Sequence, residues 1–145
     1  MKRSIGMECR CVSNLVRRKM GETEVIKESQ ELTGMHGFVL GYLYNHQDEE
    51  VYQKDLEKRF EIRRSTATQI LSLMEKNGLV FRQPVPRDAR LKRLVLTEKA
   101  IEMHKEVVKE IEAIDSLLIA GVTEKELQTF FAVIDKVKAN LTAKE

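Results

Sequence analysis

The feature that most constrains this chain is a helical run that stops at Asn77-Gly78 and gives way at once to two short β-prone stretches. Across residues 63–77, Ile70, Leu71, Leu73 and Met74 fall on one side of a helix. Arg64, Ser65, Thr66, Thr68, Gln69 and Ser72 are left for the other. Gly78 can take the left-handed conformation that satisfies the last helical carbonyls at little steric cost, so the stop is well specified. Beyond it, residues 79–82 and 91–96 predict a hairpin whose long basic tip runs over residues 83–90. Pro84 and Pro86 deny backbone donors there and suit an exposed finger better than a sheet interior.

Helices flank this unit on both sides. Ile5, Cys9, Val12, Val16 and Met20 recur at steps of three and four and predict an amphipathic helix over residues 5–20, followed by a polar, acidic loop over residues 21–31. Thr33 is placed to cap a second helix, which carries Met35, Phe38, Val39, Tyr42 and Leu43 on a broad apolar face and ends near Asn45. A polar turn at residues 47–50 leads to Tyr52 and a short helix that buries Leu56 and Phe60. From Thr97 onward, Ala100, His104, Val107, Ile111, Ile114 and Leu118 alternate at four and three, the pattern of a helix–helix seam. Gly121 breaks it. Thr123 with Glu126 then forms a capping box for a last helix whose apolar face is Leu127, Phe130, Phe131, Ile134, Val137 and Leu141. The expected fold is therefore mainly α with a small β-hairpin wing.

Charge separates the same regions. The 145 residues carry a net charge of only +2, but residues 58–99 hold eleven Lys or Arg against four Asp or Glu. That local balance of +7 leaves −5 for the remainder. A basic stretch in an otherwise acidic chain is the footprint of a polyanion reader.

The order of elements sharpens this into duplex DNA. Two helices joined by a tight turn and followed by a hairpin form a winged helix-turn-helix, here between Tyr52 and Thr97, in which the second helix fits the major groove. The outward side chains have matching chemistry. The hydroxyls of Ser65, Thr66, Thr68 and Ser72 and the amide of Gln69 can read base edges, whereas Arg63 and Arg64 at the helix start favour phosphate. Four hydroxyl residues also lower helix propensity by up to a few tenths of a kcal/mol each relative to Ala, which a merely solvated face has no reason to keep. On the wing, Arg87, Arg90, Lys92 and Arg93 add the cationic grip.

Four stretches in this order and spacing resemble the MarR family of transcriptional regulators. They are Phe60-Glu61-Ile62-Arg63-Arg64-Ser65-Thr66-Ala67-Thr68-Gln69-Ile70-Leu71, Met74-Glu75-Lys76-Asn77-Gly78-Leu79-Val80, Arg87-Asp88-Ala89-Arg90 and Leu94-Val95-Leu96-Thr97-Glu98-Lys99-Ala100. The resemblance spans nearly the whole chain and is vaguest in the N-terminal third. It implies an obligate homodimer whose first helix and last two helices form a dimerisation lobe, a near-palindromic operator, and repression as the commoner mode. It also implies that Arg90 at the wing tip enters the minor groove, where the negative potential suits arginine, and that Asp88 orients the wing. Two positions depart from the family's pattern. Arg63 stands where a small capping residue is more usual, and Ala89 stands where a second arginine is common. The division expected is residues 1–31 for the N-terminal dimerisation helix, 32–97 for the DNA-binding region and 98–145 for the C-terminal dimerisation helices.

The remaining residues of note read as follows. Met35, His36, Tyr42 and Tyr44 lie on the second helix, which in the family borders a cleft, and are candidates for a small-molecule effector pocket; core packing is the competing reading. Cys9 and Cys11 are the only cysteines, so no secreted disulfide framework is expected and a reducing cytoplasm is the natural setting. Two residues apart on a helix, they point about 200° away from each other and cannot close a bond. Cys9 is expected to fill space on the apolar stripe, with thiol-based oxidant sensing as the alternative. His36, His46 and His104 show no metal-like spacing, and no cofactor is expected. No apolar run reaches the length of a signal peptide or a membrane span. Nucleophile–base pairs, paired carboxylates and phosphate-cradling glycine loops are all missing, so an enzyme is not expected. A winged helix used only for protein contacts remains the other class of reading; it gives no reason to cluster the wing cations.

Overall fold

The computed structural model describes residues 2–22 and 34–143, and the chain divides into two compact units, Met1–Ile111 and Glu112–Glu145. Six helices and one antiparallel hairpin occur among the described residues: α1 (Ile5–Gly21), α2 (Gly34–Asn45), α3 (Gln53–Phe60), α4 (Arg64–Lys76), β1 (Val80–Val85), β2 (Asp88–Leu96), α5 (Glu98–Leu118) and α6 (Glu124–Thr142). The expected mainly helical fold with a β-hairpin wing is the one observed. Beyond Glu22, the expected acidic loop lies outside the described residues, as does the Thr33 cap.

The core of the first unit forms around α2, which is apolar enough to be covered on several sides. Val39, Leu40 and Leu43 of α2 meet Leu56 of α3, Ile70, Leu71 and Met74 of α4, and Leu79, Val80 and Leu94 of the hairpin. Ala100 and Val107 of α5 complete it. Gly37 allows α5 close to α2, since a Cβ there would meet Val107 Cγ1 at 3.2 Å and Ile111 Cδ1 at 3.6 Å. The stripe read as a helix–helix seam is thus largely used within the unit. Ala100, His104 and Val107 are buried and Ile111 packs on the core, whereas Leu118 stays exposed.

Helix α1 corrects one expectation. Only Met20 of its stripe is buried, Val16 is half-buried, and Cys9 is exposed together with Cys11. No residue of the first three turns is buried, so Cys9 fills no core space among the described residues. Ile5, Val12 and Leu15 are exposed as well. In the second unit α6 buries no residue: Phe130, Phe131 and Leu141 are exposed, and Leu127, Ile134 and Val137 are half-buried. Its capping box is present, with Thr123 N–H donating to Glu126 Oε2 (2.9 Å) and Glu126 N–H donating to Thr123 Oγ1 (3.3 Å).

The hairpin also differs from expectation. The strands run on to Val85 and restart at Asp88, leaving Pro86-Arg87 as the turn where a long loop was expected. Pro84 sits inside β1 opposite Lys92, and the register jumps so that Val85 faces Asp88, with the extra residues absorbed on β2. A two-stranded sheet has only edge strands, so the missing Pro84 donor can face outward, and a bulge takes up the slack. Leu94 N–H donates to Val51 O (2.8 Å), which ties β2 to the segment before α3.

The stop after α4 has the geometry its sequence predicts. Asn77 caps the helix and Gly78 has φ 69°. Leu79 N–H donates to Met74 O (2.8 Å) and Gly78 N–H to Glu75 O (3.0 Å), the double bond pattern of a left-handed helix end. Gly78→Ala should cost about 1 kcal/mol in urea-induced unfolding, through backbone strain alone, since nothing lies within 4 Å of the added Cβ.

Candidate nucleic-acid interface

Helix α4 is split between core and solvent. Ala67, Ile70, Leu71 and Met74 are buried, while Arg64, Ser65, Thr66, Thr68, Gln69 and Ser72 are all exposed. Leu73, expected inside, is half-buried against the core. The helix starts at Arg64, with Arg63 as an extended, exposed N-cap whose side chain makes no capping bond. Its first-turn amides therefore keep the partial positive charge that favours an anion. The tight turn from α3 is made by Glu61 in the left-handed region (φ 51°, ψ 44°), with Ile62 N–H donating to Glu57 O (3.1 Å).

A groove of about 580 Å³ runs between α3, α4 and the wing, and its wall includes Gln53, Lys54, Arg64, Thr68, Arg90 and Lys92. Arg82 also lines it, and Glu57 is the one carboxylate among the lining residues. Reading helix and wing thus border one basic channel. Gln53 Nε2 donates to Thr68 Oγ1 (2.9 Å) and to Arg64 O (3.3 Å), joining α3 to α4.

The wing cations fall into two groups. Arg87 pairs with Glu50 Oε2, Arg87 Nη2 donates to Tyr52 Oη (2.9 Å), and Tyr52 O–H donates to Glu50 (2.8 Å). Arg93 Nε donates to Gln83 Oε1 (2.7 Å), and Arg82 pairs with Glu75 (2.6 Å). By contrast, Arg64, Arg90 and Lys92 make no ion pair among the described residues. Asp88 Oδ1 accepts the Arg90 backbone N–H (2.9 Å), which shapes the turn that presents Arg90.

Among the described residues the four effector-pocket candidates make separate ring and core contacts. Tyr42 stacks on His46 (4.1 Å between centroids) and meets Phe60 edge-on, while Tyr44 stacks on His104 (4.0 Å). Met35 packs against the core and His36 is buried. Burial holds His104 below the usual histidine range, so it stays neutral at physiological pH. Among the described residues no group of three or more His, Cys, Asp or Glu could hold a metal ion, and no helix is long and apolar enough to cross a membrane.

Sequence reasoning missed Glu50, Tyr52 and Gln53. Their partners lie 37, 35 and 15 residues away, separations that carry no periodic signal. The Arg87 guanidinium and the Tyr52 hydroxyl, both donating to it, hold the Glu50 carboxyl below the usual carboxylate range. A group with a lowered folded pKa stabilises above its unfolded pKa and loses that contribution as pH falls through the folded value. Amide protection at residues 87–90, relative to intrinsic exchange, should therefore hold at neutral pH and drop on acidification below the ordinary glutamate range. Glu50→Gln should show the low protection already at neutral pH, without the acid step.

Residues 30–91 match the MarR family. Across nearly the full chain the fold is similar to MepR of S. aureus in its complex with DNA, at 22% identity over 96% of this chain and 99% of that one, with a TM-score of 0.85. It is also similar to the transcription regulator MarR from Oenococcus oeni PSU-1, at 28% identity over 92% and 98% of the two chains and a TM-score of 0.75. A third likeness is to the heme sensor PefR from Streptococcus agalactiae in complex with heme, at 29% identity over 97% and 95% and a TM-score of 0.62. The matched stretch covers α2 to the start of β2, and the winged fold continues around it. Over residues 30–91, less than half of its length, the chain is similar to the MarR family.

Proposed function

We propose that this chain is a sequence-specific DNA-binding transcriptional regulator that acts as a homodimeric repressor and is released by a small-molecule or oxidant signal. The observation that carries this reading is the groove lined by Arg64 and Thr68 of α4 and by Arg90 and Lys92 of the wing, with Arg64, Arg90 and Lys92 unpaired among the described residues. In this reading α4 enters the major groove, where Ser65, Thr66, Thr68, Gln69 and Ser72 meet base edges. Arg63 and Arg64 take phosphate at the helix start, and Arg90 reaches the flanking minor groove. Asp88 shapes the wing turn, and Arg87 and Arg93 hold the wing while Lys92 grips the backbone. A protein-only winged helix would gain nothing from cations arranged this way.

Dimerisation follows from what the single chain leaves uncovered. Apolar side chains are exposed on α1 (Ile5, Val12, Leu15) and on α6 (Phe130, Phe131, Leu141), and each set would be expensive to keep in water. These helices form the dimerisation parts that flank the DNA-binding region. Two copies related by a two-fold axis then meet a near-palindromic site with half-sites about one helical turn apart. The MepR–DNA complex and the heme-bound PefR are consistent with a regulator that alternates between operator and ligand. For an oxidant signal, the supporting observation is that Cys9 and Cys11 are both free and exposed in the chain.

Selection of bound duplexes from a random pool tests this directly, and variants divide the roles. Arg90→Ala should weaken binding roughly tenfold on every sequence, whereas Thr66→Ala and Gln69→Ala should change which bases are selected. Equal loss from all three on all sequences would remove the division between reading helix and wing. Phe131→Glu should convert a dimer to a monomer by light scattering and abolish binding to a full palindrome.

A further inference from the structure

We infer that Gln53 is a positioning residue for base recognition: it fixes the Thr68 hydroxyl as a hydrogen-bond donor directed into the groove. The inference rests on the DNA-reading role proposed above and assigns one polarity within it.

The orientation of the Gln53 amide is settled by chemistry. The Arg64 carbonyl can only accept, so the amide atom 3.3 Å from it is the nitrogen, and the same Nε2 lies 2.9 Å from Thr68 Oγ1. Its two hydrogens serve the two acceptors. In an α-helix the Arg64 carbonyl also receives the backbone N–H of Thr68, four residues on. With the Gln53 donor, both of its lone pairs are used.

That removes the usual sink for a helical threonine's proton. Threonine in a helix tends to donate back to the carbonyl four residues earlier. Thr129 does so to Lys125 O (2.9 Å) and Thr142 to Lys138 O (3.0 Å). Among the described residues the Thr68 hydroxyl makes no such bond; its one hydrogen bond is the one it accepts from Gln53. An accepted hydrogen bond polarises the hydroxyl and strengthens its outward donation. Thr68 is exposed and lines the channel with Gln53 and Arg64, so the proton points toward whatever enters. On the major-groove edge, O6 and N7 of guanine, N7 of adenine and O4 of thymine can receive it, and the N4 amine of cytosine cannot.

The test is the selected base preference of the full-length protein, read position by position for wild type, Gln53→Leu, Gln53→Ala, Thr68→Val and Gln53→Leu/Thr68→Val. Wild type should disfavour cytosine at one position of each half-site, and Thr68→Val should reduce that discrimination by roughly tenfold. Both Gln53 variants should reduce it at the same position, and the double variant should lose no more than Thr68→Val alone. Two Gln53 variants with matching circular dichroism and melting curves guard against misfolding. The inference is overturned if the Gln53 variants lose affinity equally on all sequences with an unchanged preference, or if they alter a different position from Thr68→Val. If wild type selects no sequence at all, the DNA-reading role itself fails, an outcome distinct from selection that ignores Gln53.

Discussion

The helix end at Asn77-Gly78 is the junction on which the rest of the reading head depends. Gly78 turns the chain at φ 69°, which drops Leu79 into the core and starts β1 two residues later. The segment leading into α5 then returns to the same point. Thr97 Oγ1 donates to Gly78 O (2.6 Å), Thr97 N–H to Leu79 O (3.1 Å), and Lys99 Nζ to Asn77 O (2.8 Å). The carbonyls of Asn77, Gly78 and Leu79, just past the end of α4, are thus satisfied by the residues that end the wing and open α5. Reading helix, hairpin root and following helix share one set of hydrogen bonds, so none can rotate without disturbing the others.

From that junction the electrostatics follow. The basic stretch is not a uniform cloud of charge, because Arg82, Arg87 and Arg93 are committed to Glu75, to Glu50 with Tyr52, and to Gln83. They give the hairpin a fixed posture. Arg64, Arg90 and Lys92 keep their charge available at the channel. Counting cations in the sequence overstates what a polyanion meets, and the pairings separate holding residues from gripping ones.

Much of this was legible in the sequence where the signal is local. The apolar spacing in α4, the Asn77-Gly78 stop and the Thr123–Glu126 box each depend on residues within a few positions, and each appears as read except that Leu73 is only half-buried. The hairpin limits were not legible, because Pro84 reads as a strand breaker unless the sheet is known to have only two strands. What covers Cys9 and the α5 stripe was not legible for a related reason. Periodicity says that a face is apolar but not which surface covers it. In this chain α2 covers Ala100 and Val107, while Cys9 is left exposed. Glu50, Tyr52 and Gln53 act across long sequence separations and became visible only with the fold.

The central claim is that two copies of this head present free cations to duplex DNA, and the salt dependence of binding tests it most directly. With Arg64, Arg90 and Lys92 from each of two copies on phosphate or in the minor groove, affinity should fall by roughly a thousandfold between about 50 and 200 mM salt. A flat response over that range would contradict the account.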